Sequence, residues 1–144
     1  MIDLEDGRRE YFGEPIPEEL VAEWRSTGNR KIIDQAELLP VALAKQLWSE
    51  RRTERRVFFF VDNEGAKHQC INYKSDSPRG HRILCFMAKL ETRIQTWSWF
   101  CRVASHSNPA DPASRLDHAT MREKYRAVRT RPIMPSSLKN LASL

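Results

Sequence analysis

The 144-residue sequence predicts an α/β fold of three layers, a mixed central sheet flanked by helices. Three observations lead there. Val57-Phe58-Phe59-Phe60-Val61 is a continuous apolar run of strand length. Arg79 to Gln95 places Ile83, Met87, Leu90 and Ile94 on one helical stripe. Around these two segments, helix-like and strand-like periodicities alternate along the chain, the pattern of strands joined by helices.

Taken in order, Asp6-Gly7 is a turn signal, and Arg8 to Gly13 after it reads as a short exposed strand. Pro15, Pro17 and Gly28 punctuate the next stretch, in which Glu18 to Arg25 has room for one or two helical turns. Lys31-Ile32-Ile33 leads into Asp34-Gln35-Ala36-Glu37, a capping residue answered three positions later by a glutamate. From Ala36 to Trp48 the pattern is helical, with Leu39, Leu43 and Leu47 on a stripe and Pro40 early enough to be tolerated with a kink. Arg51, Arg52, Arg55 and Arg56, interleaved with Glu50 and Glu54, read as a salt-bridged helix end.

Val57 to Val61 is expected to be buried on both faces. A helix from Asn63 to about Tyr73, a loop from Lys74 to Gly80 and the helix Arg79 to Gln95 follow. Trp97 to Val103 alternates as a half-buried strand. Trp97, Trp99, Cys101 and Val103 are read as its core face, in preference to a base-stacking platform. Ser105 to Pro112 is a loop, and the remainder is helical at best before Pro132 and Pro135.

The chain carries a formal charge of +5, and its location says more than its size. Residues 1–111 hold 17 basic and 17 acidic side chains, whereas residues 112–144 hold 7 basic and 2 acidic ones. A basic C-terminal tail, residues 117–144, on a neutral body suits either a solvated appendage or a polyanionic partner such as nucleic acid. The five-residue apolar run is far short of the ~20 residues that span a bilayer. The acidic N-terminus lacks the basic-then-apolar order of a signal peptide. A soluble intracellular chain with no membrane partner is therefore expected. Cys70, Cys85 and Cys101 are odd in number and form no Cys-x-x-Cys pair, so they read as buried thiols and not as a disulfide or zinc framework. A Cys101–His106 hydrolase pair has nothing in the sequence to activate it.

Three carboxylates are attached to apolar elements and not to solvated faces: Glu37 entering a helix, Asp62 ending the apolar strand, and Asp111 in Asn108-Pro109-Ala110-Asp111-Pro112. Strand carboxyl ends are where open α/β sheets bind ligands and metals. Carboxylates at the edge of a core need a partner, and a divalent cation is an efficient one. Each acid also has a bland reading as a helix cap: Glu37 answering Asp34, Asp62 before the next helix, and Asp111 before a proline at the first helical position.

Gln35-Ala36-Glu37-Leu38-Leu39, then Phe59-Phe60-Val61-Asp62-Asn63-Glu64-Gly65-Ala66, then Ser107-Asn108-Pro109-Ala110-Asp111-Pro112-Ala113-Ser114-Arg115, in that order, resemble the ribonuclease H domain of retroelement reverse transcriptases. The resemblance covers residues 7–116 and implies an incomplete ribonuclease H-like fold, with Arg8 to Glu14 as its edge strand. It implies that Glu37, Asp62 and Asp111 are catalytic metal ligands for Mg²⁺ or Mn²⁺, serving two-metal hydrolysis of the RNA strand of an RNA–DNA hybrid. Asn63 would then contact a 2′-hydroxyl. Family members begin with two further strands, the first carrying an aspartate that touches both metals. Nothing upstream of Asp6 resembles them, and Asp3 and Asp6 sit in a turn context. The missing ligand would have to come from an upstream reverse-transcriptase segment. Without it, the resemblance implies an inactive remnant with at most weak nucleic-acid binding through the basic tail. His106 lies near the family's product-release histidine but close to Asp111, and is read as an exposed loop residue.

Overall fold

The computed structural model describes residues 1–26 and 32–139, so Gly28 and Lys31 fall outside the described residues. Asp6 and Gly7 form the expected turn. Gly7 has a φ of +81°, a left-handed conformation that a glycine adopts without Cβ strain. Across it the Leu4 amide donates to the Arg8 carbonyl at 2.8 Å. The turn joins β1 (Ile2–Asp3) to β2 (Arg9–Tyr11) as an antiparallel pair. Next, α1 (Glu18–Ser26) buries Leu20 and Trp24, four residues apart on one face.

The apolar face of α2 (Ile33–Leu47) is wider than the expected leucine stripe: Leu38, Leu39, Ala42 and Leu43 are all buried, while Pro40 lies on the solvent side. α3 (Ser49–Arg52) follows directly. β3 (Arg56–Val61) and β4 (Trp97–Arg102) then run parallel, with Phe59 level with Phe100. The crossover between them is α4 (Glu64–Asn72) and α5 (Pro78–Ile94). Ser77 caps α5 with Pro78 at its first turn, the arrangement its missing N–H favours.

One face of the β3–β4 pair is covered. Phe59 and Phe100 stack with ring centroids 5.4 Å apart, against a core supplied mainly by α2, α4 and α5. The other face is open, with Phe58, Phe60, Trp97 and Trp99 exposed by 64, 63, 65 and 69%. This corrects two expectations: β3 is not buried on both faces, and the tryptophans of β4 do not face the core. Both strands carry apolar side chains at both parities, so alternation alone does not choose a face. The helices choose it.

After a 3₁₀ turn at Ser105–Ser107, α6 (Asp111–Ser114) and α7 (His118–Glu123) lead to β5 (Ala127–Arg129), which pairs in parallel with β2. The chain is therefore mixed α/β with a small mixed sheet, β1-β2-β5, that is separate from the parallel pair β3-β4. A single central sheet covered on both faces is not formed among the described residues. α6 lies so close to the segment that follows β2 that a Cβ on Gly13 would collide with the Ala113 carbonyl.

The basic segment beyond residue 116 belongs to this packing. Met121 and Ala127 are buried with Tyr11 and Ala113. Leu138, on α8 (Ser136–Lys139), is 1% exposed within the main core. The charge count located the cations on this segment but is blind to the apolar anchors between them. Cys70 is buried as expected, whereas Cys85 is exposed and Cys101 half-buried, and all three are free thiols. No helix among the described residues is long and apolar enough to cross a membrane.

Candidate functional site

None of the three carboxylates caps a helix. α2 opens at Ile33, before Asp34, with no side-chain cap, which leaves Glu37 beyond the first turn. Asp62 directly follows β3, but Asn63 takes the capping position of α4, its Oδ1 accepting from the Ala66 amide at 2.8 Å. Asp111 is the first residue of α6, behind Ala110, and makes no capping bond. The tight approach to α6 is held instead by Asn108, whose Oδ1 accepts from the Ala110 amide at 3.0 Å.

Two of the three acids influence each other electrostatically. Glu37 is half-buried in the second turn of α2, and burial, followed by the Asp62 carboxylate, pushes its pKa above the usual carboxylate range. Neither has an ion-pair partner among the described residues. Asp111 is placed differently, accepting from Arg115 Nε at 2.9 Å. Among the described residues no three His, Cys, Asp or Glu side chains lie close enough to share one metal ion, so Asp111 does not join the pair. Asp3 and Asp6 are occupied locally, by Arg9 at 2.8 Å and Arg8 at 2.7 Å.

The family models, the curated proteins and the solved structures give no match to this chain. Its chemistry has to be read from the side chains themselves. A partly desolvated pair of carboxylates that repel each other is a donor set of hard oxygens. Mg²⁺ and Mn²⁺ sites commonly use one or two such carboxylates and complete the shell with waters and substrate phosphates. Glu37 and Asp62 fit a divalent ion on that count.

Sequence reasoning missed a second polar centre. Lys45, fully buried on α2, pairs with Glu91 of α5 and donates to Ser98 of β4. Ser98 and Tyr73 also donate to Glu91. The ammonium lies 4.4 Å from the Phe59 ring centroid and 5.0 Å from that of Phe100. Burial draws the Lys45 pKa down to about 8, against the pull of Glu91. Burial alone would raise the Glu91 pKa, but its three donors outweigh it and hold the carboxyl below its usual value. The signal was present: Lys45 continues the buried Leu38–Ala42 row, and Glu91 continues the row of Leu84 and Met87.

The arginine cluster is also assigned by tertiary contacts and not by its local glutamates. Arg52 is buried and donates to the Lys45 carbonyl. Arg51 pairs with Glu10 at 2.8 Å and Arg55 pairs with Glu5. Arg56 has no ion pair among the described residues. His106 is exposed on its 3₁₀ turn, and no bond joins it to Cys101.

Proposed function

We propose that this chain is a retroelement-derived domain of ribonuclease H type that binds RNA–DNA hybrids and hydrolyses the RNA strand with divalent metal held by Glu37 and Asp62. What supports this reading is that Asp62, the residue directly after a parallel strand, acts electrostatically on Glu37, and that neither is committed to a helix cap. When bound, Mg²⁺ or Mn²⁺ would supply an activated water and neutralise the leaving 3′ oxygen. Glu37 and Asp62 supply the charge that draws the ion. Asn63 keeps its Nδ2 donor for a ribose hydroxyl, because Oδ1 is already given to Ala66. Asp111, paired with Arg115 at 2.9 Å, is not counted among the ligands.

A second reading has its own support. The engagement of Asp111 by Arg115, with no third acid beside Glu37 and Asp62 among the described residues, suits an inactive remnant that retains weak nucleic-acid binding. Its basic contacts would come from Lys124, Arg126 and Lys139. Arg129 and Arg131 are both drawn to Glu14 instead. Thermal melts with and without millimolar Mn²⁺, on the parent and on Asp62→Asn, separate the two. Metal at about a hundred times its dissociation constant adds roughly 2.7 kcal/mol to stability. That gain is expected in the parent and absent in the variant, together with loss of hybrid cleavage. A parent melt indifferent to metal leaves the remnant.

A further inference from the structure

Glu64, the first residue of α4, has more positive charge around it than it can neutralise. Its Oε1 lies 2.6 Å from Lys67 Nζ and 3.2 Å from His68 Nε2, both one turn along the helix, and its Oε2 lies 3.4 Å from Arg102 Nε. One carboxylate thus serves two permanent cations and a histidine. Arg102 is the least committed of them. Its contact is longer than a good hydrogen bond, and its two terminal amino groups have no acceptor among the described residues. The backbone sets this cluster beside the carboxylate pair. Arg102, at the end of β4, is level with Val61, the residue before Asp62, and the Val103 amide donates to the Val61 carbonyl at 3.1 Å. Arg102 shares its parity with the buried Phe100, so it leaves the strand on the helix-covered side, where α4 begins.

We propose that Arg102, supported by Lys67, seats a backbone phosphate of the nucleic-acid strand on which the Glu37–Asp62 site acts. The strand's identity rests on the reading of those two acids as the metal site. The terminal amino groups of a guanidinium can meet two phosphate oxygens at once, and Lys67 adds a point charge beside them. Glu37 and Asp62 both repel a phosphate, so a strand brought to them needs a positive group at the same end of the sheet. A contact of this kind fixes the strand's position and carries no sequence information. Glu64 works against it, because it holds part of the charge that the phosphate would take. Its removal should therefore strengthen binding. An ion pair that only braces α4 against β4 predicts the opposite, since breaking the brace cannot help a ligand.

Fluorescence anisotropy of a labelled RNA–DNA hybrid with the whole chain, over a series of salt concentrations and in EDTA so that no strand is cut, tests this. Arg102→Ser should weaken binding and lower the salt slope by about one unit, the loss of one phosphate contact. Glu64→Gln should tighten binding about two- to fivefold, the scale of one exposed charge. Both side chains reach solvent, 64% and 45% exposed, and circular dichroism melts check that the variants stay folded. A parent that does not bind the hybrid overturns the proposal. So does an Arg102→Ser chain that keeps the parent slope, or a Glu64→Gln chain that binds no tighter than the parent. The Mn²⁺ melt distinguishes this failure from that of the metal site. A slope change without a Mn²⁺ shift keeps the phosphate seat and removes the metal, whereas a Mn²⁺ shift with a slope indifferent to Arg102 keeps the metal and removes the seat.

Discussion

An acid whose pKa is higher in the folded than in the unfolded state binds its proton more tightly when folded, so its ionisation costs stability. Glu37 is such a group, through burial first and Asp62 second. Below its usual value of 4.5 both states are protonated and the cost is absent, and above the raised folded value the cost is fully present. Glu37→Gln is therefore expected to stabilise the metal-free chain at pH 7, by less than about 1 kcal/mol because solvent screens a half-exposed pair. The gain should vanish in acid, well below that usual value. Urea melts at the two pH values check it, and a gain that persists in acid would exclude ionisation as its source. These two acids were legible in the sequence because each is joined to an apolar element. Their freedom from capping was not, because a cap depends on where a helix begins to within one residue: Ile33 and not Asp34 opens α2, and Asn63 and not Asp62 caps α4.

At the level of elements, α2, α5 and β4 are joined by the Lys45–Glu91–Ser98 centre. Removing one member of a buried ion pair strands the other charge, at a cost of about 3–5 kcal/mol. Glu91→Ala should therefore destabilise by about 3 kcal/mol or more, by urea melt at pH 7. The double variant Lys45→Met/Glu91→Leu should cost far less than the sum of its parts, since it leaves no buried charge behind. The Glu91 pKa is depressed, so its contribution is complete above the usual value of 4.5 and is lost as pH falls through the lower folded value. Acid should accordingly narrow the gap between the parent and Glu91→Ala, and a gap independent of pH would mean that packing and not charge sets the loss. The existence of α2, α5 and β4 was readable from apolar periodicity, and that of β3 from its continuous apolar run. The faces of β3 and β4 were not, because Phe58 and Phe59, or Trp99 and Phe100, are equally apolar neighbours and the choice is made by helices distant in sequence.

For the whole molecule, the fold class was readable but the sheet arrangement was not. β1 and β5 are two and three residues long, too short for a periodic signal. The pairing of Arg9 with Ala127 joins opposite ends of the chain. That pairing makes the basic segment structural. Met121 and Ala127 close the smaller core, and Leu138 seats α8 on the main one. Glu10 of β2 ties the two regions together by accepting from Trp48 Nε1 at 2.9 Å and from Arg51. Removing residues 117–144 would take away Met121, Ala127 and Leu138 and leave β2 without β5. Losses of about 2–5 kcal/mol for each large buried side chain then compete with a total stability of about 5–15 kcal/mol. A chain ending at residue 116 is expected to lose its cooperative urea transition, and Leu138→Ala alone to lower the stability of the full chain by about 2–5 kcal/mol. If the shortened chain instead melts at the parent midpoint, the segment is an appendage and its buried side chains contribute nothing to the core. The contribution of its charge to nucleic-acid binding must then be measured on the intact chain. Arg126→Ser and Lys124→Ser remove phosphate contacts without opening either core, and each should lower the salt slope of binding by about one unit if it touches a phosphate.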